Sequence, residues 1–232
     1  MSRPLPGSEK RLTKVKQRVW DLPTRLFHWT LVLLVALAWW SAENDRQSLH
    51  LYLGYGILSL LLFRVGWGIF GSSTARFSSF VRGPAAVTRY FRDRFHWPVA
   101  GHAPLGALSV LALLAMLFIV VGTGLFAADE DGLFSGPLTY LVSLSTSDLM
   151  TELHETLFNI LLALIVLHVA AILLYRVALG RNLLGPMITG KAELARGAEP
   201  LRRGKWWAAL LCVAAAIAIT RWIIAGVPPF GS

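Results

Sequence analysis

Five stretches of the chain are apolar almost without interruption, at roughly residues 25–42, 49–70, 104–127, 153–175 and 206–225. Each is close to the ~20 residues a helix needs to cross the hydrocarbon of a bilayer. Helices of a water-soluble bundle show a polar stripe every few residues, and LVLLVALAWW, LSVLALLAMLFIVV and LLALIVL have none. The pattern predicts an all-α integral membrane protein with five spans.

Composition agrees with this class: apolar residues make up 55% of the chain, and the mean hydropathy is +0.58. A formal charge of +9 would suit a nucleic-acid partner, but the position of the charge argues for a membrane and against nucleic acid. Of the 22 Lys and Arg, seven precede His28, five lie in 71–103 and seven in 176–205. Only Arg46 and Arg221 fall on the opposite side, and Arg64 is inside a span. The positive-inside rule then puts the N-terminus and both long basic loops in the cytoplasm of a bacterial inner membrane, and five crossings leave the C-terminus in the periplasm. The loop 127–153 holds Asp129, Glu130, Asp131, Asp148 and Glu152 with no basic residue, as expected of the outer face. The lone cysteine, Cys212, lies inside the last span, so there is no disulfide framework, no CxxC metal knuckle and no CxxCH for covalent haem attachment. The basic start before the first apolar run is expected to be a retained segment rather than a signal peptide, because that run is long.

The chemistry is concentrated in histidines. The fourth span, HETLFNILLALIVLH, begins with His154 and ends with His168. Fourteen helical positions put these imidazoles about 21 Å apart along the axis and nearly on one face. Ionisable residues inside a span are costly and ask for a reason; axial ligation of iron is one, hydrogen-bonded helix histidines the plain alternative. Other spans offer histidines at the same two depths. His28 is fifteen residues from Glu43 at the outer end of the first span, and His168 is sixteen from Glu152. His50 opens the second span at the outer level of His154. Two pairs result: His28 with His168 on the cytoplasmic side, and His50 with His154 on the periplasmic side. Imidazoles facing each other across a macrocycle leave iron no open position, which favours electron transfer over oxygen activation.

Other residues support this arrangement less directly. Gly54, one turn after His50, would let a flat macrocycle approach the backbone, although helix packing uses glycine in the same way. Arg64, fourteen residues after His50, returns to that face at the cytoplasmic level; it would pair with a haem propionate or snorkel to the headgroups. His102 would stand at headgroup level, about 40 Å from the outer end of a continuous helix, which makes it a weaker ligand than His28 and a candidate for a supporting or quinone-site role. The loop 71–103, with Arg76, Arg82, Arg89, Arg92 and Arg94 beside aromatic residues, predicts an interfacial helix. Residues 1–19 read as a disordered or surface-lying basic arm, 20–191 as the transmembrane domain carrying the histidines, and 192–232 as a linker and fifth helix without a ligand.

VWDLPTRLFHW, LHLYLGYGILSLLLFRVGWGIFGS, GHAPLG, and LHETLFNILLALIVLHVAA followed by NLLGPMITG resemble the bacterial cytochrome b561 family, which is related to the b-type cytochrome subunits of nickel–iron hydrogenases. The resemblance covers about residues 18–191. It implies a four-helix bundle holding two non-covalent b-type haems, with His28, His50, His154 and His168 as ligands, exchanging electrons with the quinone/quinol pool. A periplasmic cytochrome or other redox protein would be the partner, reached across the acidic outer loop, and Glu152, Glu155 or His102 would serve as a base in quinone chemistry. The fifth helix lies outside that four-helix core. Two other readings stay open on the residues alone: a transporter or metal-ion permease with a histidine-lined path, and a structural anchor for a soluble redox enzyme. The absence of internal repeats and of spans broken by proline counts against the first.

Overall fold

The computed structural model describes residues 14–81, 83–92, 101–129, 133–195, 199 and 201–227. Most of the basic arm, Arg82, Arg94, His96, Glu130 and Asp131 lie outside the described residues. In chain order the elements are β1 (Lys14–Arg18), α1 (Leu22–Glu43), α2 (Gln47–Phe70), α3 (Phe77–Phe80), α4 (Pro84–Arg92) and α5 (Pro104–Gly124), then a 3-10 turn (Thr139–Leu141), α6 (Leu144–Ala178), α7 (Leu184–Thr189), β2 (Lys191–Ala195) and α8 (Trp206–Ile224). The helices α1, α2, α5, α6 and α8 are long and apolar enough to span a membrane, and they coincide with the five apolar runs.

Local chemistry sets the helix ends. Asp21 caps α1, its Oδ1 accepting from Thr24 N at 2.9 Å, with Pro23 in the first turn. Ser143 caps α6 in the same way, accepting from Thr146 N at 3.3 Å. That cap starts α6 at Leu144, nine residues before the expected 153. At 35 residues α6 is about 52 Å long and outreaches the ~30 Å hydrocarbon layer. Its first turns, with exposed Asp148 and Glu152, therefore stand where a loop was expected.

The basic arm differs from expectation in its described part. Residues 14–18 are not disordered: β1 pairs antiparallel with β2, Lys14 opposite Ala195 and Arg18 opposite Lys191. Gly190, at φ 79°, ends α7 and turns the chain into β2. Its carbonyl accepts from Val19 N at 2.8 Å, while Arg25 donates to Ile188 O and Trp29 Nε1 to Met187 O at 3.2 Å. These bonds fasten the segment after α6 to the start of α1.

Among the spans, α1 runs along α2, α5 along α6, and the two pairs meet between α2 and α5. One buried cluster, Ala38, Ile57, Leu61, Leu117, Val120 and Leu161, joins all four helices. A second, Phe27, Phe63, Trp67, Ala75, Ala208 and Ala216, joins α1 and α2 to α8. The fifth span thus packs on α2, outside the four-helix core. Ser59 donates to Thr220 Oγ1 at 2.9 Å across that contact, a bond worth about 0.6 kcal/mol between helices in lipid. Large apolar side chains such as Val166, Leu167, Leu173, Leu174, Leu210 and Leu211 face outward, where they meet lipid.

Candidate functional site

His50 and His154, the pair expected on the periplasmic side, come together. His50, in the first turn of α2, and His154, on α6, have ring centroids 5.9 Å apart with planes at 83°. Both rings are oriented by helix carbonyls: His50 Nδ1 lies 2.9 Å from Ala38 O on α1, and His154 Nδ1 lies 2.8 Å from Val120 O on α5. A carbonyl only accepts, so each Nδ1 carries the proton and each Nε2 keeps its lone pair for a metal. Two metal–nitrogen bonds of about 2.0 Å place ring centroids ~6 Å apart when the ion sits between them. Gly124 makes room for this geometry, because a Cβ there would stand 2.9 Å from His154 Cε1.

The pair expected on the cytoplasmic side is more open. His28 on α1 and His168 on α6 are within electrostatic reach of each other but not in ring contact. Ser109 Oγ lies 3.1 Å from His168 Nδ1 and orients that ring. His28 Nδ1 is buried with no hydrogen-bond partner among the described residues. A cavity of about 300 Å³ lies between α5 and α6, lined by Ser109, Ala112, Leu113, Leu164, His168 and Ala171 among others.

Arg64 is 3% exposed and does not snorkel. Its Nη1 donates to Ala75 O at 3.1 Å, and the guanidinium lies 4.8 Å from the centre of the Phe77 ring. Gly68 admits that ring, since a Cβ there would come within 2.0 Å of it. No carboxylate among the described residues is within ion-pair distance of Arg64; Asp21 acts on it only across space. Asp21 Oδ2 instead accepts from Trp67 Nε1 at 3.0 Å. A Cβ built on Gly54 meets nothing within 4 Å, so the helix-packing reading of this glycine has no partner helix to support it.

His102, expected at headgroup level, is half-buried. Its ring is held between Trp20, at 4.6 Å, and Phe80, at 4.5 Å, because the chain from Ser72 to Phe80 folds back beneath the bundle. Thr74 Oγ1 donates to Val19 O at 2.7 Å and fixes that fold. Burial first, then nearby Arg64 and His168, hold the His102 imidazole down to about 3, so it is neutral in the physiological range. The candidate bases Glu152 and Glu155 are both exposed.

These residues fit a haem. Among the described residues no three His, Cys, Asp or Glu side chains form a metal cage, so an ion between two imidazoles needs its remaining donors from another source, as a porphyrin provides. The orienting carbonyls of Ala38 and Val120 were not foreseeable, since every residue has one. Ser109 left a signal in the sequence, as a hydroxyl in the apolar start of its span, and so did Gly124 in GTGLF.

The sequence matches the prokaryotic cytochrome b561 family over residues 19–190. No curated protein matches the chain, nor does any solved structure. With nearly three quarters of its length matched, and with paired histidines inside a bundle of spanning helices, the chain belongs to the prokaryotic cytochrome b561 family of membrane b-type electron-transfer cytochromes.

Proposed function

We propose that the protein carries electrons across the inner membrane between the quinone/quinol pool and a redox partner at the periplasmic face, through two non-covalent b-type haems. The observation that carries this reading is the His50–His154 pair, with rings 5.9 Å apart and both Nδ1 atoms turned to carbonyls. His28 and His168 are the second ligand pair, at the end where Arg25, Arg76 and Arg181 lie and which the positive-inside rule assigns to the cytoplasm. Bound haem supplies one-electron chemistry at iron. The chain's own part would be to hold the haems through His28 with His168 and His50 with His154, and to keep the two pairs about 21 Å apart on α6. Gly54 leaves open the space that a macrocycle edge needs, and Arg64, a buried cation without an ion pair among the described residues, supplies the charge that a propionate would neutralise. The domain division follows: 20–191 hold the haems, 1–19 are a cytoplasmic arm, and 192–232 add a linker and a helix packed outside. No observation favours the permease or anchor readings.

Absorption spectra of the protein purified from membranes test the proposal. A low-spin b-type spectrum with two haems per chain, reduced by an added quinol, is the expected result. A pigment-free but folded protein contradicts the haem assignment, and haems reduced by dithionite but not by quinol contradict the quinone assignment.

A further inference from the structure

At the end of the bundle that holds His168, His102 is enclosed without a role as an iron ligand. Its Nδ1 is buried and has no hydrogen-bond partner among the described residues, a costly state for a ring nitrogen that its neighbours hold in place. Trp20 and Phe80 fix the ring from two sides. Phe80 packs edge-on against Phe77, with centroids 5.8 Å apart, and Phe77 carries the Arg64 guanidinium on its face. Arg64 and His102 therefore flank one wall of two aromatic rings. Arg64 uses one of its donors on Ala75 O and has no ion pair among the described residues.

The level of this wall matters. His102 stands seven residues before Ser109, the hydroxyl that orients His168. His102 lies two residues before α5 begins at Pro104, and Ser109 in the second turn of that helix, so the two are roughly 10 Å apart along the axis, with His102 on the side away from His154 and toward the nearer membrane edge. A group bound between Arg64 and His102 would reach from the ligand level toward water. Guanidinium only donates, and a neutral imidazole protonated on Nδ1 donates once; a carboxylate accepts from both.

We propose that Arg64 and His102 converge on one carboxylate, a propionate of the haem held by His28 and His168, and that His102 is a positioning residue whose Nδ1–H hydrogen-bonds this propionate. The proposal rests on the two-haem reading above. By drawing negative charge on the propionate toward itself, His102 eases reduction of that haem. It leaves the haem between His50 and His154 untouched.

Redox titration of the haem-loaded protein in lipid nanodiscs, with haem counted per chain, tests this in the His102→Ala and His102→Asn variants. The expected result is two haems in both variants and an unchanged potential for one of them. In His102→Ala the other falls by about a tenfold change in its reduction equilibrium, about 59 mV for one electron. His102→Asn, which keeps an N–H donor, recovers most of that shift. Two retained haems with both potentials unchanged in His102→Ala would overturn the hydrogen bond while leaving the two-haem reading intact, and so would an Asn variant shifted as far as Ala. Fewer than two haems in the unaltered protein would instead remove the reading on which the proposal rests. If His102→Ala yields no folded protein, redox-difference infrared spectra of the unaltered protein, loaded with haem carrying carbon-13 in its propionates, replace it. An isotope-sensitive carboxylate band that His102→Phe, a ring of similar shape with no donor, shifts supports the proposal, and one that it leaves in place overturns it.

Discussion

His50 and His154 face each other from α2 and α6 with ring centroids 5.9 Å apart, and each is held by a carbonyl from a different helix, Ala38 on α1 and Val120 on α5. All four helices of the core thus take part in orienting one pair of nitrogens. A ligand pair built in this way has little freedom to shift, which makes it sensitive to the residues packed around it.

Gly124 is the most direct test of that sensitivity. A Cβ at this position would lie 2.9 Å from His154 Cε1, so Gly124→Val displaces the ring from its carbonyl and from the metal axis. We expect haem retention at the outer level to weaken by about 10–100-fold, as for lost partners of metal-ligating histidines. Gly106→Ala is the matched control, because a Cβ there meets nothing within 4 Å. Haem content after dialysis against apomyoglobin, an acceptor for released haem, distinguishes the two variants.

Asp21 is a structural anchor rather than a haem residue. Its two oxygens cap α1 and accept from the buried Trp67 indole. Asp21→Ala removes a cap worth about 1 kcal/mol and leaves the indole N–H unpaired, at about 1–3 kcal/mol. Thermal unfolding in detergent should show a loss of roughly 2–4 kcal/mol, with Asp21→Asn between this variant and the native protein.

The five spans and their order were legible because continuous apolar runs admit only one reading at this length. The approach of His50 to His154 was legible by depth, since helical rise converts sequence spacing into height along a bundle. The surroundings of Arg64 and His102 were not legible: Arg64 is buried and His102 half-buried against the segment from Ser72 to Phe80, whose fold depends on Thr74 reaching Val19 O and Gly68 admitting Phe77. Such contacts across sequence leave no periodic trace. The strand at 14–18 was hidden as well, because five residues with three charges carry too little alternation to outweigh their polarity.

Tyr90 of α4 is buried, and its hydroxyl lies 2.8 Å from that of Tyr175 near the end of α6. Burial, followed by this hydrogen bond, raises the Tyr90 hydroxyl well above its usual range. The unfolded chain releases the proton near pH 10, while the folded protein keeps it to higher pH. Stability is therefore held below about pH 10 and lost as pH rises beyond it. Tyr90→Phe should cost about 1 kcal/mol at neutral pH and should flatten the alkaline decline, as read by unfolding midpoints measured across that range.

The fifth span packs on α2 and contributes to the cluster around Trp67, yet none of the four paired histidines lies on it. A chain ending at residue 195, which keeps β2 and removes α8, should keep its full haem content and unfold at a lower temperature than the complete chain. Loss of either haem in the shortened protein would place α8 in the haem-binding core.

Haem counting in the four single variants His28→Ala, His50→Ala, His154→Ala and His168→Ala tests the central claim most directly. The account predicts two haems in the native protein and one in each variant. The haem that remains should have one midpoint potential in His28→Ala and His168→Ala, and a second, different one in His50→Ala and His154→Ala. Variants that keep both haems, or potentials that group His28 with His154, would contradict it.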